Sequence, residues 1–163
     1  MLYEEIGLHY EYYNPNLFID NRDHNDCIIR AFTKLVNKSW NEVFDDLYKI
    51  GKSIGFMMNS NQTIYDYATA NDFIYCDDFH GLGTMMIGNF LSKIKNQRIE
   101  CIVATYDHSF YFADNTIYDD GSVEESGIIS DESKLILDSH LCDLVQWFIA
   151  SNDNFSKISK ILD

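Results

Sequence analysis

Apolar residues recur at helical spacing early in the chain. Ile28, Ala31, Phe32, Leu35 and Val36 fall at i, i+3, i+4, i+7 and i+8, one stripe of a helix. Asn25 or Asp26 can cap it by accepting a bond from its free first-turn amides, and Asn37-Lys38 ends it. Ser39 and Glu42 form an S-x-x-E capping box for a second helix. Its stripe is Trp40, Val43, Phe44, Leu47 and Tyr48, and Gly51 and Gly55 break the pattern. A third, short helix is expected from Thr63 to about Ala70. Thr84 is placed to cap a fourth, with Met86, Ile87, Phe90, Leu91 and Ile94 on one face. Residues 1 to 25 carry no such period and read as an irregular polar and aromatic lead-in.

The pattern then changes. Ile99 to Thr105 is rich in β-branched residues and predicts a strand. His108 to Ala113 and Thr116 to Asp119 flank Asp114-Asn115, a two-residue hairpin turn. That turn pairs Ala113 with Thr116, Phe112 with Ile117 and Phe110 with Asp119. By strand alternation, His108, Phe110, Phe112, Ile117 and Asp119 share one face, and Ser109, Tyr111, Ala113, Thr116 and Tyr118 the other. In the tail, Leu141, Leu144, Val145, Phe148 and Ile149 mark a helix, and Phe155, Ile158, Ile161 and Leu162 another. Helices, a small antiparallel sheet, then helices make an α+β fold. A single proline, Pro15, and the absence of a Gly/Ser-rich linker predict one domain over residues 1–163.

Charge narrows the function. Lys plus Arg number 12 against 26 Asp plus Glu, a net charge of -14. This excludes a conventional nucleic-acid binder, which needs cations for phosphates, and disfavours an anionic membrane surface. No apolar run approaches the ~20 residues that span a bilayer. The start, Met1-Leu2-Tyr3-Glu4-Glu5, has no basic or apolar region of a signal peptide. Cys27, Cys76, Cys101 and Cys142 are far apart with no C-x-x-C, so neither a metal site nor a cofactor is expected, and free thiols in a reducing cytoplasm are. Cys76, Cys101 and Cys142 read as packing residues, Met57-Met58 and Met85-Met86 as core fillers, and Gly81-Leu82-Gly83 as a plain loop.

Cys27 stands apart because it opens the first helix. First-turn amides carry partial positive charge that favours a thiolate. A cysteine nucleophile also needs a histidine to handle its proton and a third group to orient that histidine. His108 at the start of the hairpin, with Asp119 as a diagonal neighbour on the same face, offers both. A helix-borne Cys27 packed on that face completes Cys-His-Asp. Asn115 and Asp114 compete with Asp119 for the orienting role.

The stretch Asn25-Asp26-Cys27-Ile28-Ile29-Arg30-Ala31-Phe32, followed by Ser39-Trp40, Val43 and Leu47, resembles the start of small papain-like cysteine peptidases of the short bacterial and phage-encoded kind. Asp107 to Asp119 is similar to that group's G-H-x-V-x-x-x-x-G-x-x-Y-D segment, with Asp107 where the relatives show Gly. The resemblance runs from about Asn21 to Asp119. It implies a papain-like fold of N-terminal helices on a small antiparallel sheet, with a core over residues 17–121 and a helical C-terminal extension over 122–163. It implies Cys27 as nucleophile, His108 as general base and acid, and Asp119 as its orienting group. Asn21 takes the place of the Gln that helps form the oxyanion hole, one methylene shorter, with Asn25 as a competing donor. The implied activity is hydrolysis of a peptide, isopeptide or related acyl bond. The partner is then a protein or peptide substrate, and the acidic charge favours a basic one. The alternative is a non-catalytic acidic inhibitor on the same scaffold, occupying a basic partner surface.

Overall fold

The structure is a computed structural model, and its described residues are 4–18, 26–120 and 141–163. A six-stranded sheet is covered by helices on both faces. The strands are β1 (His9–Tyr12), β2 (Phe73–Cys76), β3 (Glu100–Ala104), β4 (Ser109–Ala113), β5 (Thr116–Asp119) and β6 (Trp147–Ser151), in the order β1-β5-β4-β3-β6-β2. Among the described residues, β1 and β5 are the one parallel pair. The helices are α1 (Cys27–Val36), α2 (Trp40–Ile54), α3 (Asn61–Ala70), α4 (Ile87–Ile94) and α5 (Asn152–Leu162). This is an α+β arrangement, as expected, but the sheet is six-stranded and mixed where a small antiparallel one is expected.

Strand alternation sorts the core into two layers. Cys101, Val103, Phe110, Phe112, Ile117, Phe148 and Ala150 pack with α4 and with Ile158 of α5. Ile102, Ala104, Tyr111, Trp147 and Ile149 pack with α1, α2 and α3. Adjacent residues of one strand thus point into different cores.

The early helices keep close to the sequence pattern. The Ser39–Glu42 capping box is formed, with Ser39 Oγ accepting from the Glu42 amide at 3.2 Å and Glu42 Oε2 from the Ser39 amide at 2.8 Å. Asn37, at φ 53, closes α1 in a left-handed conformation. Gly51 does not break α2, which runs on to the left-handed cap Gly55. A Cβ at Gly51 would lie 2.7 Å from the Phe56 carbonyl oxygen, so glycine is there for close approach. Ser60, not Thr63, marks the start of α3, and Met86 rather than Thr84 precedes α4. Thr84 sits in a short 3-10 helix, Leu82–Thr84, that grows out of the expected loop. Met57 is 74% exposed and Met86 39%, so neither is a core filler, whereas Met58 and Met85 pack partly buried against the two cores.

The hairpin is as expected. Asp114 and Asn115 have φ of 48 and 62, the doubly left-handed turn that suits the twist of two strands, and Ala113 pairs with Thr116 and Phe112 with Ile117.

The tail differs. Residues 147–151 form strand β6, not the expected helix, and β6 lies inside the sheet between β3 and β2. Of the expected helical extension over 122–163, residues 122–140 lie outside the described residues, 147–151 supply an interior strand, and α5 is a helix of the kind predicted. The reason is that Trp147, Phe148, Ile149 and Ala150 are buried on both faces, and an unbroken apolar run satisfies helical spacing as readily as strand spacing. Of the sheet edges, β1 lies in the stretch read as an irregular lead-in and outside the expected 17–121 core, and β2 lies where no element is expected. Each is four residues long and neither is buried on both faces, so neither leaves a strong periodic signal.

Candidate active site

Cys27 is the first residue of α1, and its helix lies over β4 on the Tyr111 face of the sheet. The expected packing of this helix against the Phe110–Phe112–Ile117 face is thus reversed, since those residues pack with α4 instead. Cys27 and His108 still meet, for a local reason. His108 precedes β4 and belongs to the four-residue connection from β3, where the Thr105 amide donates to the His108 carbonyl at 2.8 Å and the His108 amide to Thr105 Oγ1 at 3.1 Å. Its side chain is not bound by the strand's alternation and turns to the sheet end, where the N-terminus of α1 arrives.

The three residues form one hydrogen-bonded line. His108 Nε2 meets Asp119 Oδ2 at 2.5 Å, which leaves Nδ1 as the ring nitrogen that can serve Cys27. Ser109 Oγ donates to Cys27 Sγ at 3.4 Å. Asn115 does not orient the histidine. It sits at the far end of the hairpin, where its side chain pairs with Asn96 at 2.6 and 2.7 Å. Asp114 shares that turn. Asp107 is exposed and accepts from Thr105 Oγ1 at 3.3 Å. Asn21 and Asn25, the two expected oxyanion donors, lie outside the described residues.

The electrostatics follow from this geometry. Burial alone would push the Cys27 thiol up, but the hydrogen bond and charge of His108 and the bonds from Ser109 outweigh it, and the thiol is held below its ordinary value. Burial would likewise lower His108, yet the bonds and charges of Asp119 and Cys27 push it up to about 10. Asp119 is buried, which disfavours its charge, but His108, Arg30 and the Asp120 amide hold its carboxyl below the usual range. These shifts all favour a thiolate beside an imidazolium, backed by a carboxylate. Cys101 and Cys76 are the contrast, since burial without a cationic partner pushes both thiols up.

Several residues of this site have roles that the sequence pattern does not give. Asp26 occupies the N-cap position of α1 but makes no capping bond. Its carboxylate instead pairs with Arg30 and accepts from Trp40 Nε1 at 2.8 Å and Asn16 Nδ2 at 3.3 Å. Arg30, on the side of α1 opposite the apolar stripe, is 3% exposed and faces Asp26, Asp119 and Asp120. The one available hint is an arginine inside an apolar run, which must find carboxylates once buried. Asp120 is pushed up, by burial first and then by the neighbouring Asp119 and Asp26, against the pull of Arg30.

Cys27 and His108 open on a cleft of about 640 Å³. Its walls include Phe18, Trp40, Phe44, Met57, Met58 and Trp147, and its charged lining residues other than the Cys–His pair are Asp26 and Asp107. Phe18, Trp40 and Phe44 are in ring contact at centroid distances of 6.0 and 5.1 Å, which stiffens one wall. Among the described residues no cluster of His, Cys, Asp and Glu could hold a metal ion, and no helix is long and apolar enough to cross a membrane.

Comparison with family models, with curated proteins and with solved structures gives no match for this chain.

Proposed function

We propose that this protein is a papain-like thiol hydrolase that cleaves a peptide, isopeptide or related acyl bond. The observation that carries the reading is the line Cys27–His108–Asp119 at a helix N-terminus, opening on an apolar-walled cleft. In this reading the Cys27 thiolate attacks the carbonyl carbon and a C–S bond forms. The oxyanion is met by the Cys27 backbone amide, one of the unpaired donors of the first helical turn. His108 gives its proton to the departing nitrogen, the C–N bond breaks, and an acyl-thioester remains. Water then attacks the thioester, His108 takes its proton, and the thiolate leaves. Asp119 holds the imidazole in orientation and stabilises its charged form. The cleft favours a protein or peptide with an apolar side chain beside the scissile bond. The net charge of -14 favours a basic one. Nucleophilic Cys27 requires a reducing setting such as the cytoplasm, and all four cysteines are free.

The test is iodoacetamide labelling of Cys27 across pH, read on the Cys27 peptide, alongside hydrolysis of a fluorogenic peptide panel. The expected result is labelling well below pH 8 that is lost in His108→Ala. A Cys27 profile indistinguishable from that of an ordinary thiol overturns the reading. A biological effect that survives Cys27→Ala points instead to the non-catalytic acidic inhibitor.

A further inference from the structure

The buried guanidinium of Arg30 adjoins the same site, and the role inferred for it rests on the hydrolase reading. Arg30 stands three residues after Cys27, so the two are neighbours on one side of α1. Its Nη1 pairs with Asp26 Oδ1, and its Nη2 with Asp119 Oδ1 at 3.3 Å and Asp120 Oδ1 at 2.7 Å. Asp119 therefore uses both oxygens. Oδ2 meets His108, while Oδ1 takes Arg30 and the Asp120 amide at 2.9 Å. The other two carboxylates are fixed from outside as well. Asn14 Nδ2 holds Asp120 Oδ2 at 3.1 Å, and Trp40 and Asn16 hold Asp26.

We propose that Arg30 is a positioning residue for the Cys–His pair: it grips Asp119 by Oδ1 so that Oδ2 faces His108, and it ties that carboxylate to the helix that carries Cys27. A bond that served only to join helix and sheet would need one carboxylate, and Asp120 alone would do. Here the guanidinium also takes the second oxygen of the very carboxylate that holds the imidazole. It further supplies positive charge to a cluster in which Asp26, Asp119 and Asp120 would otherwise face, among the described residues, only His108. Lysine carries the charge but is a single point, without the planar fork that reaches Asp26 on one side and the β5 end on the other. Arg30 Nε, buried and without a partner among the described residues, shows the guanidinium set for what its two terminal nitrogens hold.

The experiment is a double-mutant cycle on the full chain: wild type, Arg30→Gln, Asp119→Asn and the double variant, with folding checked by circular dichroism. The readout is the pH profile of Cys27 alkylation by iodoacetamide, followed on the Cys27 peptide because Cys142 is also exposed. Each single variant is expected to slow labelling at pH 7 by roughly fivefold or more, with the double variant within about twofold of Asp119→Asn, since residues acting through one another are not additive. Losses that multiply, or a folded Arg30→Gln with the wild-type profile, overturn the proposal. Should Arg30→Gln fail to fold, Arg30→Lys replaces it in the same cycle. Failure of both to fold assigns Arg30 to the scaffold and overturns the positioning role. An ordinary-thiol profile in the wild type overturns the hydrolase reading itself, and is thereby distinct from a failure of Arg30 alone.

Discussion

Replacing Cys27 with serine changes how stability depends on pH, and the size of the change comes from counting protons. In the folded protein His108 is raised from 6.5 to about 10, and Cys27 is lowered from 9.0. A raised histidine contributes stability that is fully present below its unfolded value and is lost as pH climbs through its folded value. A lowered thiol contributes stability that is present above its unfolded value and is lost as pH falls through its folded value. Where the pH lies above both 6.5 and the lowered Cys27 value, and below 9.0, the unfolded chain holds one proton on this pair, on the thiol, and the folded protein also holds one, on the imidazole. The two slopes cancel, and the pair contributes no pH dependence in that window. In Cys27→Ser the unfolded pair holds none, while the folded His108 still holds one through its bond to Asp119. Stability then falls by about 1.4 kcal/mol per pH unit, or about 2 kcal/mol between pH 6.5 and 8. With a urea slope of about 2 kcal/mol per molar, the midpoint difference between the two proteins changes by up to about 1 M across that range, growing where the pH is above the lowered Cys27 value. Contributions from outside the site are common to both proteins and drop out of the difference. The assay is urea unfolding of both proteins at half-unit steps of pH. A midpoint difference that stays constant with pH overturns the ion-pair account, because it means that Cys27 is a neutral thiol or that His108 holds no extra proton.

Three further outcomes are expected. Asp119→Asn keeps the shape of the site but loses the charge behind His108, and peptide hydrolysis should fall about 100- to 10000-fold in kcat with a smaller change in KM; unchanged kcat would place the orienting group elsewhere. Gly51→Ala sets a Cβ 2.7 Å from the Phe56 carbonyl, so thermal unfolding should show a loss of about 1–3 kcal/mol. The shift reaches the Met57–Met58 stretch of the cleft wall and should raise KM more than it lowers kcat. Phe32→Ala removes a side chain with no exposed surface that meets Tyr67 edge-on at 4.8 Å, and should cost about 3–5 kcal/mol in chemical unfolding, with less than 2 counting against a single well-packed core there.

Local signals account for much of this protein. The stripes of α1, α2 and α4, the capping box at Ser39 and the Asp114-Asn115 turn are short-range features, because each depends on residues within one or two turns of chain. The turn alone sets the register of β4 against β5, and with it which residue at the hairpin's open end can approach His108. That is why the pair His108 and Asp119 was legible in the sequence, along with the helix start at Cys27.

The remaining features are long-range and take shape only in the folded chain. The place of residues 147–151 in the middle of the sheet depends on β3 and β2, more than 40 and 70 residues away along the chain, and an apolar run does not itself say whether a sheet or a helix will bury it. The side of the sheet that receives α1 is set by competition between two sets of helices for two apolar faces, and periodicity cannot rank them. The Arg30 cluster is the same case in polar form. Asp26 and Asp120 carry no sign of a shared partner with Asp119 until folding buries a guanidinium among the three, and only then does the cost of an unpaired buried charge make their positions matter.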